Sequence, residues 1–238
     1  MIPATRPTTP LWRAVRRIQH AIVYHLFVRR ALARTDVTTM FGFRITVPPS
    51  VFHPKFFRTT KFLGEYLQGV ELRGRIFLEM GCGSGILSLL AARRGATVTA
   101  VDINPDAVTA TRANAAANHL GGHVAAMESD LFTGVAMNGG FDCILWNPPF
   151  YPAEATDYAS LAWNAGTEYG ILARFARSAK DFLRPGGRLI VQVSTEFDQG
   201  RVLALFAEAG LEKRLAAQKR LPFETLRIYE FFPTRHGR

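Results

Sequence analysis

The chemistry in this chain is easiest to see where a hydrophobic run stops. Residues 141–146 (FDCILW) lead straight into Asn147-Pro148-Pro149-Phe150. Consecutive prolines have no N–H to offer a sheet ladder, so a strand must end there in a rigid corner. Rigid corners preorganise hydrogen-bond acceptors. The Asn147 side-chain oxygen and the Pro148 carbonyl can each accept one N–H from a planar NH2 group. Two such bonds hold the nitrogen, weaken its conjugation and aim its developing lone pair at an electrophile. Phe150 can stack on a flat acceptor. Common turn propensities account for Asn and Pro singly, but not for their arrival after a strand that faces a glycine-rich loop.

That loop is Glu79-Met80-Gly81-Cys82-Gly83-Ser84-Gly85. Alternate glycines let the backbone turn sharply and approach a ligand where a Cβ would clash. A dinucleotide fingerprint needs its third glycine at position 86, where this chain has Ile86; glycine falls at Gly85 instead. The spacing suits a ligand with no phosphate there, such as an amino-acid moiety. Asp102 stands about twenty residues beyond the first glycine, at the end of the next strand, where a carboxylate can accept from both hydroxyls of a ribose. Asp130 ends the third strand in the same manner. An acceptor there can take an adenine amino group, with Leu131 and Phe132 flanking the ring.

These residues need elements that carry them to one edge. Strand patterns at 75–80, 97–102, 123–128, 141–146 and 187–194 alternate with helical patterns at 84–94, 106–118 and 168–183. Short connections between them indicate βαβ units and a parallel sheet covered on both faces. After a helix at 199–209, runs 211–220 and 224–232 around Leu221-Pro222-Phe223 predict a closing antiparallel hairpin. Upstream, FGFRITVPPSVF (41–52) alternates apolar and polar residues and predicts a short strand or hairpin, followed by a helix over 58–69. Residues 1–10 read as a loose arm. From Leu11 to about Arg34, Leu11, Val15, Ile18, Ile22 and Leu26 form a helical stripe decorated by six arginines. The expected division is an N-terminal extension over 1–70 and a catalytic domain over 71–238.

The formal net charge of +10 favours anionic partners: nucleic acid, a ribosome-like surface or an acidic membrane. Only two cysteines are present, with no CxxC pair or His/Cys cluster. No metal site is expected, and a reducing compartment, the cytoplasm, is. No apolar run reaches the ~18–20 residues that cross a bilayer. The N-terminus lacks a secretory h-region, although its Arg-rich, acid-free composition before Asp36 leaves a transit peptide open.

With these motifs in view, the sequence resembles class I S-adenosylmethionine-dependent methyltransferases of the (Asn/Asp)-Pro-Pro-aromatic group, most of all HemK-type glutamine methyltransferases and "methyltransferase small domain" proteins. LEMGCGSG, VDINPDAV, SDLF and NPPF fall in family order, and FGFRITVPPSVFHP resembles the segment before the glycine loop. The resemblance covers about residues 41–233. It implies a Rossmann-like, seven-stranded, mostly parallel sheet with an antiparallel last strand and helices on both faces. It also implies S-adenosyl-L-methionine as cofactor, held at Glu79, Gly81, Gly83, Gly85, Asp102, Ile103, Asp130, Leu131 and Asn147, with catalysis at Asn147, Pro148, Pro149 and Phe150. Two features depart from the HemK pattern. Phe150 stands where those enzymes usually carry tyrosine, and Pro54 lies one or two residues further from Thr59 or Thr60. The expected reaction is direct methyl transfer to an amide or exocyclic amine: protein glutamine, or adenine or guanine in RNA or DNA, with a small metabolite amine left open. A nicotinamide-dependent oxidoreductase is disfavoured by the displaced glycine and by NPPF. A non-catalytic cofactor-binding module is disfavoured by the intact loop and Asn147.

Overall fold

The computed structural model describes residues 34–222 and 224–234; the expected arm and basic helix over 1–33 lie outside them. The described residues open with a hairpin of β1 (Asp36–Met40) and β2 (Phe43–Val47). Phe41 and Gly42 turn it with φ of 51° and 81°, the paired positive φ of a two-residue loop that matches strand twist. The hairpin expected within 41–52 thus starts earlier, because the polar, Thr-rich DVTTM supplies its first strand. A 3-10 turn at Pro54–Phe56 leads to α1 (Arg58–Leu67).

Seven strands then form one sheet: β3 (Ile76–Met80), β4 (Thr97–Asp102), β5 (Val124–Glu128), β6 (Phe141–Trp146), β7 (Leu183–Ser194), β8 (Leu211–Arg220) and β9 (Thr225–Pro233). Their spatial order is β5-β4-β3-β6-β7-β9-β8. β3 to β7 pair in parallel, while β9 runs antiparallel to both β7 and β8. The expected antiparallel last strand is therefore β9, slotted inside the hairpin edge. Strand order reverses between β3 and β6, and a ligand crevice opens at such a switch point, outside the carboxyl ends.

Alternation along the strands divides the core. Phe77, Cys143, Leu145 and Ile190 face α1, α2 (Ile86–Arg93), α3 (Pro105–Ala117) and the hairpin. Leu78, Ile144, Trp146, Val191 and Val193 face α5 (Gly170–Ala179) and α6 (Gln199–Glu208). The hairpin is tied to α3 by Asn114, which accepts from Thr46 N–H at 2.8 Å and donates to Thr46 O at 2.9 Å. Residues of the hairpin and α1 share one core cluster with the sheet.

Two stretches differ from expectation. The long loop after β6 contains a short helix, α4 (Tyr158–Leu161), started by a reciprocal capping box between Asp157 and Ser160. The helix expected over 168–183 is regular only at Gly170–Ala179. Glu168 and Tyr169 precede it with positive φ, and Leu183 already pairs with Phe141 as the start of β7. Pro185 pushes Arg184 toward extended backbone, which favours that early strand start.

Candidate active site

The carboxyl ends of β3, β4, β5, β6 and β7 surround a cavity of about 800 Å³. Of the residues singled out in the sequence, Glu79, Gly81, Gly83, Asp102, Ile103, Asp130, Leu131 and Asn147 through Phe150 all line it. Gly85 does not.

The glycines divide by what surrounds them. Gly81, Gly83 and Gly85 have φ of 66°, 53° and 78°. A Cβ on Gly81 or Gly83 would come no nearer than 3.8 Å to any other protein atom, so the loop leaves an open cradle facing the cavity. A Cβ on Gly85 would instead stand 2.7 Å from Thr111 Cγ2 on α3. Gly85 caps α2 and lets two helices approach; its contribution is packing behind the loop.

Asp102 joins the loop to β4. Its carboxylate accepts the Gly83 N–H at 2.8 Å and the Asn104 N–H at 3.0 Å. Burial raises its pKa and these backbone donors oppose the rise. Ile103 follows it, 38% exposed although large and apolar. An exposed isoleucine on a cavity wall, beside a strand-end carboxylate and a bare glycine cradle, fits a ligand that carries a ribose and a flat ring.

Glu79 lies deeper, buried, and accepts a hydrogen bond from Ser88 Oγ on α2. Burial pushes its carboxyl up to about 8; the Ser88 bonds work against the rise and the Asp102 charge adds to it. The ordinary value is 4.5, so between these limits the folded chain keeps a proton that the unfolded chain releases. Stability contributed this way is present at low pH and lost as pH rises through that window. The melting temperature of the ligand-free protein should accordingly fall between about pH 5 and pH 8. Glu79→Gln should flatten that fall, and a slope identical in both proteins would disprove it.

Asp130 and Leu131 follow Ser129 at the end of the third strand. The Arg174 guanidinium on α5 donates to Asp130 Oδ2 at 2.6 Å, both side chains being about half exposed. Leu131 has φ of 51°, held there while Ser129 Oγ donates to its carbonyl at 2.7 Å. The Leu131 side chain is thereby presented to the cavity.

Asn147 stands one residue beyond β6. Its Oδ1 is buried and accepts no hydrogen bond from any described residue. Beyond the prolines, the Phe150 and Tyr151 N–H groups both donate to the Trp163 carbonyl, at 3.0 and 2.8 Å. This folds 150–165 back beside the motif. Phe150 stacks on Phe197, with ring centroids 4.9 Å apart and planes at 18°. Phe52, Phe57 and Trp163, which also line the cavity, pack together, the first two stacked at 4.1 Å. The sequence reading missed this aromatic wall. Its members come from positions a hundred residues apart, and only Phe52 falls within a stretch already singled out.

A glycine cradle, a strand-end carboxylate and an acceptor corner on a sheet of this order define a class I S-adenosylmethionine-dependent methyltransferase. Residues 42–210 match the methyltransferase small domain family, and the chain belongs to that family. Among its relatives is a protein of Methanocaldococcus jannaschii provisionally named a protein N5-glutamine methyltransferase, 30% identical over 79% of this chain and 94% of that protein. Another is ribosomal RNA small subunit methyltransferase C of Chromohalobacter salexigens, 37% identical over 68% of this chain, which spans 46% of that longer protein. The fold is also that of the Thermus thermophilus 16S rRNA N2 G1207 methyltransferase, solved with S-adenosylmethionine and guanosine, at a TM-score of 0.58 and 24% identity over 85% of this chain and 50% of that one. The enzyme uses S-adenosylmethionine. Among the described residues no helix is long and apolar enough to cross a membrane.

Proposed function

We propose that this enzyme methylates the side-chain amide nitrogen of a glutamine in a protein. The observation that carries the reading is the buried, unpaired Asn147 Oδ1 at a rigid Pro-Pro corner on the cavity wall. A buried acceptor left without a donor costs about 1–3 kcal/mol. An incoming N–H recovers that energy where a hydroxyl-free carbon or a deprotonated oxygen acceptor would not.

When bound, the cofactor supplies an activated methyl group on a sulfonium, and the chain's own groups do the rest. Gly81, Gly83, Asp102 and Ile103 would hold it, with Asp130 and Leu131 beside the ring end. Asn147 Oδ1 and the Pro148 carbonyl take the two N–H groups of the acceptor, fixing the nitrogen and favouring its rehybridisation. The nitrogen would bond the methyl carbon as that carbon's bond to sulfur breaks, and would release one proton to solvent as the amide returns to neutrality. Phe150, already backed by Phe197, offers its remaining face to the planar amide. Positioning and exclusion of water supply most of the rate, and no strong base is needed. The Methanocaldococcus relative, aligned over nearly its full length, supports protein glutamine. The buried free cysteines accord with a reducing compartment such as the cytoplasm.

Methylation of an RNA base is the second reading, favoured by the ribosomal RNA methyltransferase relative and by the net charge. The charge is unevenly placed, however. Residues 34–234 hold all 19 acidic residues and 21 of the 29 basic ones, so the folded domain is close to balance. Six arginines and no acid occupy residues 1–33. Polyanion affinity should therefore reside in that segment rather than at the cavity.

Two experiments separate the readings. Methyl-labelled cofactor incubated with cell extract should label protein that releases N5-methylglutamine on digestion; label confined to RNA would overturn the glutamine assignment. Replacing Arg13, Arg16, Arg17, Arg29 and Arg30 by glutamine should remove salt-dependent RNA binding and leave cofactor affinity unchanged. The parent protein should lose affinity with a slope of about 0.7 in log salt per neutralised phosphate on a single strand. Equal RNA binding by both proteins would refute this placement.

A further inference from the structure

Lys55, Arg58 and Lys61 recur every three residues where the chain passes from the 3-10 turn into α1. All three are exposed, and they line a second cavity, of about 360 Å³. Its apolar walls come from Met40 and Phe41 at the hairpin turn and from Phe57. The Phe41 ring lies against α1 because Gly64 is bare there: a Cβ would stand 2.3 Å from the ring. Phe57 and Arg58 line both cavities, so the second adjoins the active site across one aromatic ring.

Like charges this close in sequence repel, and a neighbouring carboxylate normally offsets them. Here none does. All 19 acidic side chains of the chain fall within residues 34–234. None of them lines this cavity or forms an ion pair with these three cations. Asp36, on β1, is taken by His53 at 2.9 Å, and Glu65, one turn beyond Lys61, by Lys219 at 2.8 Å. The first turn of α1 holds no acid. Residues 1–33 hold none either, so the N-terminal segment has no carboxylate side chain to bring to the cavity.

We propose that this cavity receives an acidic side chain of the acceptor protein, flanking the glutamine that enters the active site. The proposal rests on the reading of the acceptor as a protein glutamine. A peptide crossing the Phe57 ring would set its glutamine at Asn147 and its carboxylate among the three cations. Three cations around one partly apolar cavity match a carboxylate or two with their methylene stems. A nucleic-acid strand carries a phosphate at every nucleotide and needs a stripe of positive charge, which the nearly balanced domain lacks. Contacts this far from the methyl group are equally strong in the ground and transition states, so they act on acceptor binding and leave kcat alone.

The test uses the full chain, labelled cofactor and the acceptor protein whose methylated glutamine the digestion experiment above maps. Lys55→Gln and Lys61→Gln are combined, with Arg58 kept because it also lines the active site. Acceptor KM should rise about five- to tenfold, while kcat, cofactor Kd and Tm stay near those of the parent. Added salt should raise the parent's KM and barely move the variant's. Changing the acidic residues that flank the target glutamine to their amides should weaken the parent by the same factor and leave the variant unaffected. An unchanged KM in the variant would overturn the proposal, as would an equal loss in both proteins when the flanking acids are removed. So would loss of RNA binding with acceptor KM intact, which would make the cavity a phosphate site. Loss of cofactor affinity would overturn it too, by making the cavity an extension of the cofactor site. Failure of the glutamine reading shows separately, as label confined to RNA in the digestion experiment.

Discussion

Asn147→Ala should lower turnover on the acceptor by about a hundred- to a thousand-fold, comparable to removing one preorganised polar partner from a transition state. The direction follows from what the side chain does and does not touch. Its Oδ1 is buried, unpaired and set on the cavity wall just before Pro148 and Pro149. The contacts that hold Asp102 to the loop run instead to Gly83 and Asn104. Removing Asn147 therefore leaves the cofactor cradle built and takes away the group that orients the nitrogen.

A contact that strengthens as the nitrogen becomes tetrahedral lowers kcat when removed, whereas one equally strong in the ground state raises KM alone. Calorimetry should show cofactor affinity near that of the parent, and single-turnover methylation should show the rate loss. Asn147→Asp, which keeps an acceptor oxygen, should retain more activity than alanine. Phe150→Ala should mainly raise the acceptor KM, since that ring is buried against Phe197 and can offer one face for stacking. Wild-type turnover in Asn147→Ala would end the nitrogen-methylation assignment while leaving the fold intact.

How much of this was legible beforehand depended on how local each signal is. Strand ends were readable because buried parallel strands are short apolar runs bounded by turn residues. That places Asp102, Asp130 and Asn147 at one edge from the sequence alone. The start of β7 at Leu183 was not readable, since KDFL continues a helical pattern; pairing of Leu183 with Phe141 decides it. Trp163 meets Phe52 and Phe57 only through the fold, and no periodicity links positions so far apart. Gln192 in RLIVQVS looks like the polar face of a half-exposed strand. Only the cover on both faces of β7 shows that it is buried. The net charge is informative at another scale: it is a whole-chain sum, and the domain around the cavity carries little of it.

Gly85 shows the same limit for a residue whose type was legible and whose work was not. Gly85→Ala should destabilise the protein by about 2–5 kcal/mol and weaken cofactor binding as a consequence. Two costs add. With φ of 78° the position lies in the left-handed region, where a Cβ costs about 1–2 kcal/mol. The new methyl would also sit 2.7 Å from Thr111 Cγ2, 2.8 Å from its Oγ1 and 3.0 Å from its Cβ. Thr111 cannot yield easily, because it is fully buried and its hydroxyl bonds the Gly83 carbonyl at 3.1 Å and the Cys82 sulfur at 3.3 Å. Forcing extra volume into such a site typically costs about 1–3 kcal/mol. Gly74→Ala isolates the first cost, since φ is 69° there and a Cβ would meet nothing within 4 Å. Denaturant midpoints should therefore rank Gly85→Ala well below Gly74→Ala. In the Gly85→Ala, Thr111→Ala pair most of the contact cost should disappear, with only the 3.0 Å approach to Cβ left, while the conformational cost stays, giving a favourable coupling between the two positions. Additive losses would mean that the α2–α3 contact has room for the methyl. The glycine would then be required by backbone conformation alone, and cofactor affinity should follow φ rather than packing.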